Sequence, residues 1–185
     1  GGQQQRIALA LALAPDPAVV LLDEPFASLD PSLRDDVRSD VVDALRARRA
    51  AAVLVTHDRE EALALGDRVA VMSAGRLLQI DRPEVMYEQP SDRFVASFLG
   101  AASFIADPLS PHTSMLVRPH DLAIAAGGDD AVVSRRYLGA TWRYTVRRAD
   151  STSVEVDSAL SPPLSAGDRC TITIAATHEL HRLPN

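Results

Sequence analysis

Two short stretches decide the fold of this chain: residues 18–24 read AVVLLDE, and residues 52–58 read AVLVTHD. Each begins with an unbroken apolar run rather than an apolar–polar alternation, which is typical of central strands in a parallel sheet. Residues 32–48 lie between them and carry apolar side chains four positions apart, for example Val37 and Val41, which predicts an amphipathic helix. Strand, helix and strand in this order predict a βαβ unit of an α/β domain.

Turn residues and apolar periodicity predict further short elements around this unit. They are a glycine-started helix over residues 1–13, a helix over Arg59–Leu65, a hairpin over residues 69–80, and helices from Pro83 and from an N-cap at Ser91. The hairpin and the last two helices complete a first domain over residues 1–100. Residues 101–114 contain Pro108 and Pro111 with little periodicity, and we expect a linker there.

Residues 115–185 change to short strands separated by turn signals, which predicts a small β-barrel or sandwich. The expected strands are 115–117, 122–125, 132–138, 142–147, 153–156 and 169–175, with a turn at Gly127-Gly128. Cys170, Ile172 and Ile174 share one face of the last strand, and we interpret Cys170 as a core residue.

Four short motifs follow one another in a fixed order: GGQQQR at residues 1–6, LLDEP at 21–25, SLD at 28–30 and VTHD at 55–58. Together they resemble the signature motif, the Walker B motif, the D-loop and the switch histidine of ATP-binding cassette (ABC) ATPases. Stretches between residues 60 and 96 are similar to importer ATPases for maltose, polyamines, ferric iron and sulfate. Residues from 115 onward, notably Val117-Arg118-Pro119, resemble their TOBE regulatory domain.

This resemblance implies the fold class and the chemistry of the site. The fold would be an α/β partial parallel-sheet ATPase domain followed by a small all-β, OB-like TOBE domain. The cofactors would be ATP and Mg²⁺, with Asp23 at the metal, because Mg²⁺ prefers few carboxylates and keeps its waters. Glu24 would act as the catalytic base on the attacking water, and His57 would donate a hydrogen bond to the γ-phosphate.

The remaining residues implied by the resemblance act across a dimer. Gly1, Gly2 and Gln3 would contact ATP held by a second ATPase subunit, because amides at a helix N-terminus bind anions. Asp30 would cross the same head-to-tail interface. Two departures from the family pattern are the missing Leu-Ser pair before Gly1 and the apolar Leu11 where the family has Arg, which indicates either deeper burial of that helix or a decayed sequence.

Each of these residues also has an ordinary structural interpretation. Asp23 and Glu24 could form a salt-bridged strand end, His57 could be incidental, the glycines could be a plain N-cap, and Asp30 could be a simple turn residue. The other histidines have no metal-ligand spacing.

Composition excludes several functions. The chain has 19 basic and 25 acidic residues, so a clustered basic excess for nucleic-acid binding is not expected. No apolar stretch approaches the roughly 18 residues that span a bilayer. The single cysteine excludes an internal disulfide. All 19 basic residues are arginine, so the chain lacks the lysine that a Walker A loop places on the phosphates.

The leading hypothesis is therefore the C-terminal part of an ABC importer ATPase, inactive by itself. It would dimerise, drive membrane permease subunits, and lie in the cytoplasm on the inner face of the membrane. Its two apolar strands would be left partly unpaired. The alternative is a non-catalytic split-gene product that acts as a regulatory or small-oxyanion-binding module. A soluble ATPase role in DNA repair or translation is a third hypothesis, against which the stretch at 87–100 and the β domain argue.

Overall fold

The structure, a computed structural model, describes residues 2–27 and 29–185, with the backbone alone for residues 2–6, 9 and 31–33. Internal contacts divide it into two units: residues up to 70 together with 80–84, and residues 71–79 together with 85–185. The helices are α1 (Gly2–Leu13), α2 (Pro31–Ala47), α3 (Arg59–Leu65), α4 (Pro83–Glu88) and α5 (Arg93–Leu99). The strands are β1 (Val19–Asp23), β2 (Ala51–Val55), β3 (Val69–Ser73), β4 (Arg76–Asp81), β5 (Ser103–Asp107), β6 (Ser110–Val117), β7 (Leu122–Tyr137), β8 (Trp142–Arg147), β9 (Ser153–Ser158), β10 (Arg169–Ile174) and β11 (Arg182–Pro184).

The first unit contains the expected βαβ arrangement. Strands β1 and β2 pair in parallel, with Val19 opposite Ala51 and Asp23 opposite Val55. Helix α2 connects them and begins with Pro31, a residue whose fixed φ suits the first helical turn. The core of this unit is a cluster of apolar side chains that are at most 5% exposed: Leu13, Val20, Phe26, Leu29, Val37 and Val41. The α/β class and the periodicity of α2 are thus confirmed.

The opposite face of the two-stranded sheet is uncovered. Four apolar side chains on it are 53–76% exposed: Val19, Leu21, Val53 and Val55. Side chains alternate between the faces of a strand, so this face is the reverse of the one that Val20 buries. Among the described residues, β1 and β2 pair only with each other, which agrees with the expectation that these strands are left partly unpaired. Of the two interpretations of Leu11, deeper burial of the helix is contradicted, because the Leu11 side chain is 70% exposed.

The second unit is built mainly from two antiparallel sheets. One has the strand order β10-β7-β8-β9 and the other the order β11-β6-β5. Their core contains fully buried side chains from both sheets, which include Val117, Tyr144, Val146 and Val156. Strands β3 and β4 form a separate two-stranded sheet. An all-β region therefore follows the α/β part, as the sequence predicts.

Two local details of the second unit differ from the sequence prediction. Helix α5 is capped by Asp92, whose carboxylate accepts from the Val95 amide at 2.8 Å, and not by Ser91. Gly127 and Gly128 do not reverse the chain. Both have positive φ and lie in a bulge of the single long strand β7, which pairs with β10 on either side of it.

Residues expected to form a linker instead contain strands β5 and β6. Inward-facing residues alternate along β5 (Ser103, Ile105 and Asp107 are buried), a period-two pattern that Pro108 and Pro111 obscure in the sequence. The Asp107 carboxylate organises the turn between the strands by accepting from the Leu109 amide at 2.9 Å and the Thr113 hydroxyl at 2.7 Å. These hydrogen bonds lower the pKa of Asp107. The division into residues 1–100, 101–114 and 115–185 stays a prediction.

The inner face of strand β10 is buried only at the beginning of the strand. Cys170 is buried, which confirms its interpretation as a core residue, and burial raises the pKa of its thiol. Ile172 is half-buried, whereas Ile174 is 49% exposed. The strand therefore leaves the core towards its end, where the apolar alternation alone predicted a continuous inner face.

Candidate functional site

The candidate site lies at the carboxyl ends of β1 and β2. Because Asp23 is opposite Val55 in the parallel register, the residues that follow each strand leave the sheet side by side. The Glu24 amide donates to the Val55 carbonyl at 2.9 Å, which extends the pairing by one residue. Glu24 has φ of 46°, in the left-handed region that a residue with a side chain rarely adopts. The chain thus turns sharply at Glu24 while its backbone remains tied to β2.

This turn brings Glu24 against His57. The Nδ1 atom of His57 is 2.7 Å from Oε1 of Glu24. A carboxylate oxygen only accepts, so Nδ1 carries the proton and donates it. The hydrogen bond to Glu24, followed by the charge of Glu24, raises the pKa of His57. The His57 side chain is 78% exposed and that of Glu24 is 36% exposed, so both remain accessible to a ligand.

Asp23 lies at the same edge with its side chain exposed. In the part of the chain that the structure describes, its carboxylate has no hydrogen-bond or ion-pair partner. An exposed carboxylate without a protein partner fits a hydrated Mg²⁺, which takes one or two carboxylates and otherwise keeps water or phosphate oxygens. The donor set present is thus compatible with the metal that the resemblance implies.

A hydrogen-bonded network supports the segment that carries His57. Oε2 of Glu61 accepts from the Thr56 hydroxyl at 2.7 Å, and Oε1 of Glu61 accepts from Nη2 of Arg38 at 2.7 Å. Thr56 Oγ1 in turn accepts from the Asp58 amide at 3.0 Å. Burial lowers the pKa of Arg38, but the hydrogen bonds and charges of Glu61, Asp58 and Asp35 together outweigh it, so the net direction is upward.

Asp58 ends this segment and begins α3. Its Oδ1 accepts from the amides of Glu60 at 2.9 Å and Glu61 at 3.3 Å, the arrangement of an N-cap. Its Oδ2 lies 3.4 Å from Nη2 of Arg38 and 3.7 Å from Nη1 of Arg34. Sequence reasoning did not identify Arg34 or Arg38. The only available signal was their position on the polar side of α2, beside the face of Val37 and Val41.

The other residues implied by the resemblance lie elsewhere in the first unit. Gly2 and Gln3 begin α1, and Asp30 is the exposed N-cap of α2 without a side-chain capping bond. Gly1 and Ser28 lie outside the described residues, as does the Gln3 side chain. Hydrogen bonds among the described residues join Glu24 to His57, but they join neither α1 nor Asp30 to that pair.

The second unit has a cavity of about 460 Å³. It is lined by side chains of mixed charge: Tyr87, Glu88, Gln89, Leu116, Arg118, His120, Asp121, His178, Glu179, Leu180, His181 and Arg182. The buried Asp121 carboxylate is 3.7 Å from His120 and 3.6 Å from His178. Across the described residues, no group of three or more His, Cys, Asp or Glu side chains has the spacing of a metal site. No helix in the same residues is long and apolar enough to cross a membrane.

Comparison with known proteins gives two family matches. Residues 2–64 match a family described as "AAA domain, putative AbiEii toxin, Type IV TA system". Residues 115–180 match the TOBE domain family. The first match contains Asp23, Glu24 and His57, and the second contains the four-stranded sheet of β7 to β10.

Several curated proteins similar to this chain carry names of import ATP-binding proteins. A spermidine/putrescine import ATP-binding protein (PotA) of Pseudomonas fluorescens is 40% identical over 90% of this chain and 55% of its own length. A sulfate/thiosulfate import ATP-binding protein (CysA) of Nocardia farcinica is 45% identical over 80% of this chain and 42% of its own length. An Fe(3+) ions import ATP-binding protein (FbpC) of Haemophilus influenzae is 50% identical over 54% of this chain and 28% of its own length. The chain spans about half the length of the first of these relatives.

Proposed function

Because this chain is homologous to the ATP-binding subunits of ABC importers and contains a TOBE domain, we propose that it is the C-terminal part of an ATP-hydrolysing importer subunit. The observation that carries the proposal is the pairing of Glu24 with His57 at 2.7 Å, at the edge where Asp23 also lies. Separately, the two residues would be a strand-end carboxylate and an incidental histidine. Together they form an exposed acid–base pair beside Asp23, whose carboxylate has no protein partner among the described residues.

The chemistry of this pair suits phosphoryl transfer to water. Glu24 accepts a proton from, or orients, the attacking water, because a carboxylate within hydrogen-bond reach is a competent general base. His57 holds its Nδ1 proton on Glu24, and its raised pKa favours the imidazolium, in which Nε2 also donates. That second donor is available to the γ-phosphate oxygens, where negative charge accumulates in the transition state.

Asp23 would hold Mg²⁺, which supplies charge neutralisation to the phosphates when it is bound. Gly1, Gly2 and Gln3, of which Gly2 and Gln3 begin α1, would offer backbone amides to the phosphates of ATP bound by a second subunit. Asp30 would lie at the interface between those subunits. Membrane permease subunits, and a place on the inner face of the cell membrane, follow by analogy with the relatives' names as importers.

Hydrolysis requires more than this chain supplies. The sequence has no lysine, so no residue in it can play the phosphate-binding role of the Walker A lysine. We expect Mg-ATP to bind the 185-residue chain more weakly than low micromolar. Isothermal calorimetry measures this directly, and a low micromolar dissociation constant would contradict the expectation.

The decisive experiment joins this chain to the part of the Pseudomonas fluorescens relative that it does not match. We expect Mg-ATP turnover in the joined protein and none in the chain alone. Glu24→Gln keeps the shape of the side chain but removes the base, so turnover should fall by about 10²–10⁴. The matched control is Glu60→Gln, an exposed glutamate whose carboxylate lies outside the Glu24–His57 pair. Equal turnover in the two variants would reject Glu24 as the base.

The alternative of a ligand-binding module has one observation in its favour, the cavity of about 460 Å³ in the second unit. An oxyanion in this cavity would lie near both positively and negatively charged side chains. The Arg118 guanidinium is already engaged by backbone carbonyls, and the buried Asp121 carboxylate would repel an anion. Titrating the chain with sulfate or phosphate while monitoring the ring shifts of His120 and His178 tests this. Saturable shifts below millimolar anion would favour the alternative.

A further inference from the structure

His57 depends on its backbone for its position. Its side chain is 78% exposed, and its hydrogen bond among the described residues is the one to Glu24. An exposed imidazole on a short connection between a strand and a helix would ordinarily sample several rotamers. Something must therefore hold the segment from Thr56 to Asp58 for the ring to meet Glu24 with Nδ1.

The network described above fastens both neighbours of His57 to helix α2. Arg38 on α2 donates to Glu61, Glu61 accepts from the Thr56 hydroxyl, and that hydroxyl accepts from the Asp58 amide. The residue before His57 and the residue after it are therefore linked through a single hydroxyl to one carboxylate. Arg38 also contacts Asp58 directly, at 3.4 Å.

The burial of this network makes it rigid. The Glu61 side chain is 4% exposed and that of Arg38 is 15% exposed. A carboxylate that is this buried is stable only with a cation and hydrogen bonds on both oxygens, because removing one partner leaves an uncompensated charge. Both oxygens of Glu61 are used, one by Arg38 and the other by Thr56. Loss of the guanidinium would therefore favour a conformation in which Glu61 is hydrated and no longer accepts the hydrogen bond from Thr56.

We infer that Arg38 is a positioning residue for His57, acting through Glu61 and Thr56 to present Nδ1 of the ring to Glu24. The inference rests on the proposed function for the use of this alignment. With Nδ1 bonded to Glu24, Nε2 is the ring nitrogen left to contact a phosphate oxygen. Among the described hydrogen bonds, Arg38 itself contacts neither Glu24 nor His57.

The test reads the tautomer of His57 in the 185-residue chain without nucleotide. At a pH where the ring is neutral, the ¹⁵N shifts of its two nitrogens report which one is protonated. We expect the Nδ1–H form in the unmodified chain, because only that form donates to Glu24. Arg38→Gln should move the proton to Nε2, the usual site of a free imidazole. An unchanged Nδ1–H signal in Arg38→Gln would overturn the inference.

Two further variants separate positioning from general destabilisation. Arg38→Lys keeps a cation within reach of Glu61 and should restore the Nδ1–H form in part, although lysine cannot bridge Glu61 and Asp58 with a planar fork. Arg143→Gln removes an arginine pair of the same 2.7 Å length, to Asp157 in the second unit. It should leave His57 unchanged, and an equal response there would contradict a specific role of Arg38.

Should Arg38→Gln unfold the chain, Thr56→Val carries the same test. It deletes the hydroxyl that links Glu61 to Asp58 and leaves the Arg38–Glu61 ion pair intact. The Nδ1–H form should again be lost, and its persistence would overturn the inference. The outcome is independent of the hydrolysis experiment: normal turnover in Glu24→Gln would reject the proposed function, whereas a tautomer that is insensitive to these variants would reject the positioning role alone.

Discussion

Replacing Arg118 by methionine tests the hydrogen bonds made by a buried arginine of the second unit. The guanidinium is 4% exposed and stacks 4.1 Å above the ring of Tyr87. It donates to four carbonyl oxygens, at 2.9 Å to Ala96, 3.2 Å to Gly100, 3.1 Å to Ala101 and 3.0 Å to Tyr87. Most of these carbonyls lie at the end of α5, where a helix has no internal partners for them. Arg118→Met would remove all four bonds while keeping much of the volume.

The expected loss follows from these contacts. Hydrogen bonds to a charged group are worth about 1.5–3 kcal/mol each, but the four share one side chain and are not additive. Water that enters the space left by the guanidinium would also hydrogen-bond to some of the carbonyls, which reduces the loss. We therefore expect the free energy of unfolding to fall by about 3–5 kcal/mol, as for a broken buried ion pair. A domain is stable by about 5–15 kcal/mol, so this is a large fraction of the total.

Urea unfolding followed by the fluorescence of Trp142, the single tryptophan, measures this loss in the second unit. Arg118→Lys should lose less, since it keeps the charge but not the planar fork. The control Arg136→Met changes an exposed arginine of β7 and should stay within about 0.5 kcal/mol of the unmodified chain. A loss below about 1 kcal/mol in Arg118→Met would refute the reasoning, because four charge-assisted bonds would then contribute no more than one ordinary hydrogen bond.

Three other predictions follow from the structure. Glu24→Gln should lower the pKa of His57 towards its ordinary value. A raised pKa stabilises the folded chain below about pH 6.5, and this contribution is lost as the pH rises through the folded pKa. The free energy of unfolding of the variant should therefore vary less with pH in that window, which denaturation at stepped pH measures. A fragment starting at residue 85 should melt cooperatively by near-ultraviolet circular dichroism. A fragment starting at residue 115 lacks β5 and the carbonyl partners of Arg118, so it should not melt cooperatively. A cooperative melt of this shorter fragment would contradict the prediction. Leu21→Thr, on the uncovered face of β1, should reduce concentration-dependent light scattering of the chain with a change in stability of at most about 0.5 kcal/mol, and unchanged scattering would show that this face does not drive association.

Local patterns were sufficient for the elements that position the site. The unbroken apolar runs predicted β1 and β2 as parallel strands of a βαβ unit, and the four-residue spacing of Val37 and Val41 predicted the buried face of α2. From that arrangement the ends of the strands, with Asp23, Glu24 and His57, had to lie at one edge. The direct bond between Glu24 and His57 was not predicted, because it depends on the left-handed turn at Glu24, which no residue type signals.

Contacts between residues distant in sequence account for most of the other misses. Arg38 and Glu61 are 23 residues apart, and nothing in either local pattern indicates that they meet. Strand β7 was predicted as two strands because Gly127-Gly128 is a common turn signal, and only its pairing with β10 keeps the chain extended through the bulge. Ser91 and Asp92 are both good caps, so sequence alone could not choose between them.

The left-handed backbone at Glu24 has a consequence for protein engineering. Glycine adopts that conformation freely, whereas glutamate does so at a cost of about 1 kcal/mol or more. A library ranked by thermal tolerance would therefore reward Glu24→Gly, although this change deletes the carboxylate that faces His57. Redesign guided by stability alone would therefore act against the carboxylate that faces His57, unless position 24 is held fixed beforehand.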